Sequence, residues 1–324
     1  MMTRPRPRLF LVDGSSYLFR AFFALPPVTS STGFPTNAIY GFTNLMLKFL
    51  KQHRPDFLAV VLDAGRETFR NQMFTDYKAN RLEPPIALVR QFPYIRRALE
   101  ALNVPVFELP GYEADDIIGT LCESLCGEDC ELVVVSSDKD LMQLVTKNIK
   151  LFDSAKSRWI GAAEVVARFG VEPDRVTEVI GLMGDAIDNI PGVEGIGQKT
   201  AMALMQRFHS LEHLFDHLDE LETTPVRGAA RLRKNLEEGK EAAFLSRALA
   251  TLKKDVPIGC QLEQLRYRGP NRDKLRALFV ELGFTHLIKL LDHGIELTTD
   301  RGLVPQRPIA EKRLSAQLSL FSWK

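Results

Sequence analysis

Short apolar runs that stop at acids set the pattern of the first half of the chain. Residues 9–12 read Leu-Phe-Leu-Val and stop at Asp13-Gly14, and residues 57–62 repeat the pattern and stop at Asp63. Residues 104–109 lead through Pro110-Gly111-Tyr112 into Glu113-Ala114-Asp115-Asp116, and residues 131–135 lead into Ser136-Ser137-Asp138-Lys139-Asp140. Unbroken apolar runs of this length fit strands buried on both faces, as in a parallel sheet. Helical stretches alternate with them: one starts at Ser15-Ser16, and others cover 37–53, 86–102 and 113–126, with a loop over 26–35. The alternation predicts an α/β, doubly wound parallel sheet. Sites in such sheets lie beyond the carboxyl ends of the strands. Asp13, Asp63, Glu113, Asp115, Asp116, Asp138 and Asp140 all fall there.

After residue 160 strand signals nearly vanish. Residues 162–169, 175–183, 198–208 and later segments to 291 read as helices, so a helical second domain is expected to begin between 161 and 180. Residues 292–316 carry Gly, Pro and Thr with few apolar positions and read as a flexible linker. The expected division is therefore 1–175, 176–292 and a tail over 293–324.

Composition adds little to this picture until charge is mapped locally. The chain has 324 residues, 45% of them hydrophobic and 26% charged, with a net charge of +1, so no global basic field exists. Nucleic-acid affinity would have to come from clusters. Residues 66–97 hold seven basic against three acidic side chains, and residues 225–254 hold eight against three. Each is a candidate phosphate-facing surface, or a solvated helix face. No run is long and apolar enough to span a bilayer, and the basic N-terminus runs into a short strand rather than a signal-peptide core, so a cytoplasmic protein is expected. Cys122, Cys126 and Cys130 recur every four residues without a nearby histidine and read as structural or solvent-facing thiols. His209, His213 and His217 share that spacing and read as a solvated helix face.

The acids carry the chemistry. With Asp185 and Asp188, nine carboxylates are candidates for one site. Converging acids repel unless cations neutralise them. No His or Cys is interleaved, and an all-oxygen donor set favours Mg²⁺ or Mn²⁺ over zinc. Two such ions about 4 Å apart activate a water and stabilise the leaving oxygen of a phosphodiester. Directly after the last two acids comes Pro191-Gly192-Val193-Glu194-Gly195-Ile196-Gly197-Gln198-Lys199-Thr200-Ala201. This reads as a hairpin between two helices. Gly192, Gly195 and Gly197 let backbone approach a phosphate, and Lys199 and Thr200 open the following helix, whose N–H groups point at it. The pairing predicts sequence-independent grip on a duplex beside a metal centre.

These residues resemble the 5′ nuclease (flap endonuclease) superfamily, and within it the N-terminal 5′–3′ exonuclease domain of bacterial DNA polymerase I. The resemblance rests on Leu11-Val12-Asp13-Gly14-Ser15-Ser16, Thr68-Phe69-Arg70, Tyr77-Lys78 with Arg81, Glu113-Ala114-Asp115-Asp116, Ser137-Asp138-Lys139-Asp140 and the stretch 184–201. It implies a PIN-like or resolvase-like nuclease core with a helical arch over about 66–97, followed by a helix–hairpin–helix domain. It implies a structure-specific 5′–3′ exonuclease and 5′-flap endonuclease acting as a monomer on DNA in replication and repair. Asp13, Asp63, Glu113, Asp115, Asp116 and Asp138 would belong to the first metal site and its surroundings, and Asp140, Asp185 and Asp188 would complete the second. Arg70, Tyr77, Lys78 and Arg81 would contact the scissile phosphate or its neighbours, and the glycine turn would hold K⁺. Ala186 and Ile187 stand where the family commonly has small polar residues. The end at Lys324 leaves no room for a polymerase domain, so a stand-alone nuclease is expected.

Two rival readings are a PIN-type ribonuclease, which lacks the arch and the glycine turn, and a catalytically dead DNA-binding adaptor, which would lack metal acids. Gln317-Leu318-Ser319-Leu320-Phe321 resembles the short peptide by which bacterial replication proteins bind the sliding clamp; Gln317, Leu318, Leu320 and Phe321 would be its contacts.

Overall fold

The computed structural model describes residues 6–127, 130–223 and 229–292. The chain runs through β1 (Arg8–Asp13), α1 (Gly14–Ala24), α2 (Asn37–His53), β2 (Phe57–Val61), α3 (Phe69–Met73), α4 (Ile86–Val89), α5 (Phe92–Ala101) and β3 (Val106–Phe107). It continues through α6 (Ala114–Leu125), β4 (Glu131–Val135), β5 (Ile149–Asp153), β6 (Arg158–Ile160), α7 (Ala162–Phe169) and α8 (Val176–Met183). The remaining helices are α9 (Gln198–Phe208), α10 (Leu211–Asp216), α11 (Ala229–Ala250), α12 (Arg272–Leu282) and α13 (Thr285–Asp292).

Contacts divide the chain into two compact units. In its described part the first comprises residues 6–63, 81–108 and 259–292. Its strands run β3-β2-β1, all parallel, with Leu9 opposite Phe57 and Asp13 opposite Val61. The apolar run of β1 is buried from Leu9 to Asp13 and all of β2 is buried, as parallel strands covered on both faces require. Gly14 follows at once because a Cβ there would stand 2.4 Å from Val60 Cγ1. Asp13 caps α1 by accepting the Ser16 N–H at 3.0 Å, and Ser15 Oγ accepts the Asp63 N–H at 2.9 Å. The two strand-end acids thus stand on one small cap-and-turn arrangement.

Residues 259–292 pack inside this first unit. The Tyr267 N–H donates to the Asp56 carbonyl, the Asn271 N–H to the Ala101 carbonyl, and Arg97 pairs with Glu281 at 2.5 Å. Periodicity grouped these residues with the helices after 176, but their partners lie far back in the chain.

The second unit holds residues 64–80 and 109–258 in its described part. Its strands run β4-β5-β6, with β4 and β5 parallel and β6 antiparallel at the edge. The two last strands are absent from the sequence expectation. β6 spans three residues, and β5 alternates apolar side chains with Lys150 too briefly to stand out from a loop. Residues 66–97 also differ from the expectation. Thr68 and Asn71 form a capping box that starts α3, and the helix expected over 86–102 is broken into α4 and α5, with Pro93 at the start of the latter.

Candidate metal centre

The site in the second unit grows from three turns. The first opens α6. Glu113 is its N-cap, and Asp116 accepts the Glu113 N–H at 3.1 Å to close a capping box. Asp115 is buried beside it in the first turn. The second turn follows β4, where Ser136 Oγ accepts the Asp138 N–H at 3.0 Å and Asp138 Oδ1 accepts the Asp140 N–H at 2.8 Å. The third follows α8. Gly184 leaves the helix at φ +67, and Asp185 and Ile190 exchange backbone hydrogen bonds of 2.9 and 2.8 Å, folding 185–190 into a tight loop. A Cβ at Gly184 would meet the Ile190 carbonyl at 2.5 Å, so only glycine allows this closure.

These turns bring Asp140, Asp185 and Asp188 together, with one carboxylate oxygen of each within 4.8 Å of the others. Asp140 Oδ1 is buried and has no hydrogen-bond partner among the described residues. Burial, and then the facing carboxylates of Asp138 and Asp188, hold the Asp140 carboxyl well above the usual range, against the pull of Lys139. Lys139 donates to Asp185 Oδ2 at 2.5 Å. Burial works to lower the pKa of Lys139, but Asp140 and Asp185 outweigh it and keep the ammonium above the ordinary lysine value. Carboxylate oxygens converging around a buried, unpartnered oxygen fit a hard divalent cation.

Residues 76–80 lie against this cluster. The Lys78 N–H donates to the Asp188 carbonyl at 3.0 Å, Asn189 Nδ2 to the Asp76 carbonyl at 2.6 Å, and Asn80 Nδ2 to the Ala186 carbonyl at 2.9 Å. Lys78 and Asn189 both sit at positive φ, +56 and +55. Such backbone costs about 1 kcal/mol or more per residue and persists where neighbouring contacts over-determine it. The conformation delivers Lys78 Nζ to Glu113 Oε1 at 2.7 Å and to within 3.6 Å of Asp188 Oδ2. Tyr77 OH donates to Glu113 Oε2 at 3.3 Å. Arg70, expected beside them, is buried and pairs with Asp116 at 2.7 Å.

The glycine turn is built as the sequence implies but uses its glycines unequally. Gly192, at φ +65, is buried, and its N–H donates to Ser246 Oγ at 2.8 Å. Gly195, Gly197 and Lys199 are exposed at the start of α9, and Thr200 is half-buried. The first amides of a helix have no intrahelical partner, so this end presents N–H groups outward.

Among the remaining candidates, Asp13 and Asp63 stand in the first unit, and Arg81, assigned to the same unit, is buried. Gln317, Leu318, Leu320 and Phe321 lie outside the described residues. The sequence reading missed Gln143, whose Nε2 donates to the Asp140 carbonyl at 3.0 Å, and Ser246. It also gave Lys139 no role, although a lysine between two acids in Asp138-Lys139-Asp140 is itself a signal. His209 stacks on His213, His217 meets His213 edge-on, and the three hydrogen-bond to Arg175, the Phe208 carbonyl and the His213 carbonyl. Cys122, Cys126, Cys130 and Cys260 are free thiols. Among the described residues no helix is long and apolar enough to cross a membrane.

Mostly parallel strands, acids at their ends and an all-oxygen acid cluster define a resolvase-like α/β protein of the acid-cluster type. Residues 8–170 match the family described as 5′-3′ exonuclease, N-terminal resolvase-like domain, and residues 171–273 match its C-terminal SAM fold. The 5′-3′ exonuclease of Aquifex aeolicus is 36% identical over 295 residues, spanning 91% of this chain and 99% of that protein. DNA polymerase I of Caldicellulosiruptor bescii is 40% identical over 306 residues. The match covers 93% of this chain but only 35% of that polymerase, so the chain spans about a third of such relatives. The chain belongs to the 5′-3′ exonuclease family. Its fold is shared with the T5 5′-exonuclease bound to divalent metal ions (zinc), at a TM-score of 0.62 and 23% identity, covering 88% of this chain and 98% of that one. It is shared too with the catalytic core of Rad2 in complex with DNA substrate, at 0.63 and 16%, covering 90% and 93%.

Proposed function

We propose that this protein is a structure-specific 5′–3′ exonuclease and 5′-flap endonuclease that hydrolyses DNA phosphodiesters in replication and repair. The observation that carries the reading is the convergence of Asp140, Asp185 and Asp188 around a buried carboxylate oxygen with no hydrogen-bond partner among the described residues. Asp140, Asp185 and Asp188 would hold one divalent ion, Mg²⁺ or Mn²⁺. Asp13, Asp63, Glu113, Asp115 and Asp138 remain proposed metal ligands. Such ions, when bound, supply an activated water and stabilisation of the leaving oxygen.

The chain's own groups prepare that chemistry. Lys78 holds an ammonium between Glu113 and Asp188, where it draws a phosphate oxygen toward the acids and offsets their repulsion. Tyr77 orients Glu113 through its hydroxyl. The exposed start of α9, with Gly195, Gly197, Lys199 and Thr200, grips a duplex phosphate, and the turn before it takes K⁺ on backbone carbonyls. Residues 1–175 serve as the nuclease core, with Arg81 in the arch over 66–97, and the helices from 176 to 258 as the DNA-gripping part, since residues 259–292 pack with the first strands. The protein acts as a monomer in the cytoplasm. Residues 317–321 dock on the sliding clamp; deleting 317–324 abolishes clamp binding and spares cleavage, and retained clamp binding refutes that part.

The test is cleavage of a labelled 5′-flap duplex. Mg²⁺ supports it, EDTA abolishes it, and Asp185→Ala reduces it to background. Cleavage that survives EDTA, or none under any divalent ion, overturns the reading.

A further inference from the structure

Arg70 and Asp116 belong to motifs that the family resemblance assigns to phosphate and metal. Their surroundings oppose both assignments. The Asp116 side chain is 0% exposed. Its Oδ1 accepts from Arg70 Nη2 at 2.7 Å and from the Lys253 N–H at 2.9 Å, and its Oδ2 accepts from Arg70 Nη1 at 2.7 Å and from the Glu113 N–H at 3.1 Å. A carboxylate offers about four lone-pair sites, and all are taken. A cation at Asp116 would have to displace donors that hold the backbone of α6 and of residues 249–253. Arg70 is equally committed. Its side chain is 1% exposed, its Nε donates to the Leu249 carbonyl at 2.8 Å, and Nη2 donates also to the Thr251 carbonyl at 3.0 Å. A guanidinium carries five N–H donors, and four of them are placed on these partners, two on Asp116 and one on each carbonyl. A phosphate has no path to it.

We propose that Arg70 and Asp116 are positioning residues: a closed, buried pair that locks residues 249–253 against the first turn of α6 and so fixes Glu113 and Lys78 at the acid cluster. This assignment deepens the nuclease reading and rests on it. The locked segment also touches the cluster on its other side, because Gln143 bonds the Asp140 and Ala250 carbonyls and accepts the Leu252 N–H. Upstream of it, Ser246 holds the Gly192 N–H. One short stretch of chain therefore joins the glycine turn, the Asp140 turn and the Glu113 turn. The bidentate geometry explains the residue types: a lysine at 70 supplies neither the planar fork nor the extra donors for two carbonyls.

The test compares Asp116→Asn with Asp140→Asn by Mn²⁺ titration calorimetry, by thermal unfolding, and by kcat and KM on the flap duplex. Asp116→Asn is expected to bind Mn²⁺ as the unsubstituted protein does, to unfold roughly 5 °C or more lower, and to lose about tenfold or more in kcat with KM unchanged. Asp140→Asn is expected to lose about tenfold or more in Mn²⁺ affinity without a lower unfolding midpoint. Asp116→Asn with weakened Mn²⁺ binding and an unchanged midpoint overturns the proposal. Should that variant fail to fold, Arg70→Lys and Arg70→Met carry the test through the salt dependence of DNA binding in Ca²⁺. Loss of a phosphate contact lowers the slope of log affinity against log salt by about one in Arg70→Met, which overturns the proposal; an unchanged slope in both variants supports it. The calorimetry needs no cleavage, so an unsubstituted protein that binds Mn²⁺ and cuts nothing sinks the nuclease reading alone.

Discussion

The Arg70–Asp116 pair and the Asp140–Asp185–Asp188 cluster lie in the same unit and solve buried charge in opposite ways. In the pair, Arg70 meets Asp116, with Glu113 also 3.7 Å from its guanidinium, and backbone groups fill what remains, so charge and hydrogen bonding both close. In the cluster, three carboxylates meet chiefly Lys139 and a Lys78 shared with Glu113. At 4.8 Å, two carboxylates repel by about 3 kcal/mol at an effective dielectric near 20. The closed pair therefore serves architecture, whereas the open cluster holds a deficit of positive charge that an external divalent cation would relieve. Two sets of acids with similar sequence signatures acquire different roles because donors fill both oxygens of Asp116 and leave Asp140 Oδ1 without one among the described residues.

The largest test of that contrast is Asp140→Asn, expected to cut cleavage by about a thousandfold or more, roughly 4 kcal/mol of barrier, while raising metal-free stability through relief of repulsion. Lower metal-free stability would show that the cluster is closed after all. Next is Arg70→Met, which leaves Asp116 buried and unpaired. It should cost about 3–5 kcal/mol in urea unfolding, and a variant as stable as its parent breaks the closed half of the comparison.

A third effect is linkage between protons and metal. Because the Asp140 carboxyl is held above its ordinary range, the folded protein binds a proton that the unfolded chain releases. Metal-free stability should therefore fall as pH rises from about 4 through that raised value, and divalent-ion affinity should rise over the same window as the proton is displaced. Thermal shifts with Mg²⁺ at 100 times its Kd should approach 2.7 kcal/mol at the upper end and shrink in acid; a pH-independent shift removes Asp140 as the titrating group.

The smallest effect sharpens the third. Burial first, and then Arg8, lower His53 to about 4, so its neutral form is favoured in the folded state. Its contribution is complete above about 6.5 and is lost as pH falls toward 4. His53→Gln should flatten that acid limb, leaving the opposite slope of Asp140 exposed; an unaltered limb excludes His53 as its source.

Part of the candidate site was legible in the chain because acids recur at the ends of apolar runs. Asp13, Asp63, Glu113 and Asp138 follow apolar runs, and a strand's end is where side chains reach a sheet's rim. The glycine turn was legible through Gly192 and Gly195, both at positive φ, whereas Gly197, read the same way, is extended at φ −91. Neither signal says which acid keeps its lone pairs. Asp116 resembles Asp115 in sequence, yet loses metal capacity to an arginine 46 residues away and to the backbone of Lys253. Lys78 reaches Glu113 through a backbone conformation that lysine rarely adopts, so local propensity argues against the contact that tertiary structure makes.

The sequence by itself determined the α/β alternation, the acids at strand ends, the absence of interleaved soft ligands and the turn after Asp188, because each depends on residue type and near-neighbour spacing. Only the tertiary structure decided the grouping of residues 259–292 with the first strands, the burial of Arg70 and Gly192, and the choice of Asp140, Asp185 and Asp188 as the open trio. Those outcomes depend on which residues, distant in the chain, pack against and bond to a buried group, and chain spacing holds no record of that.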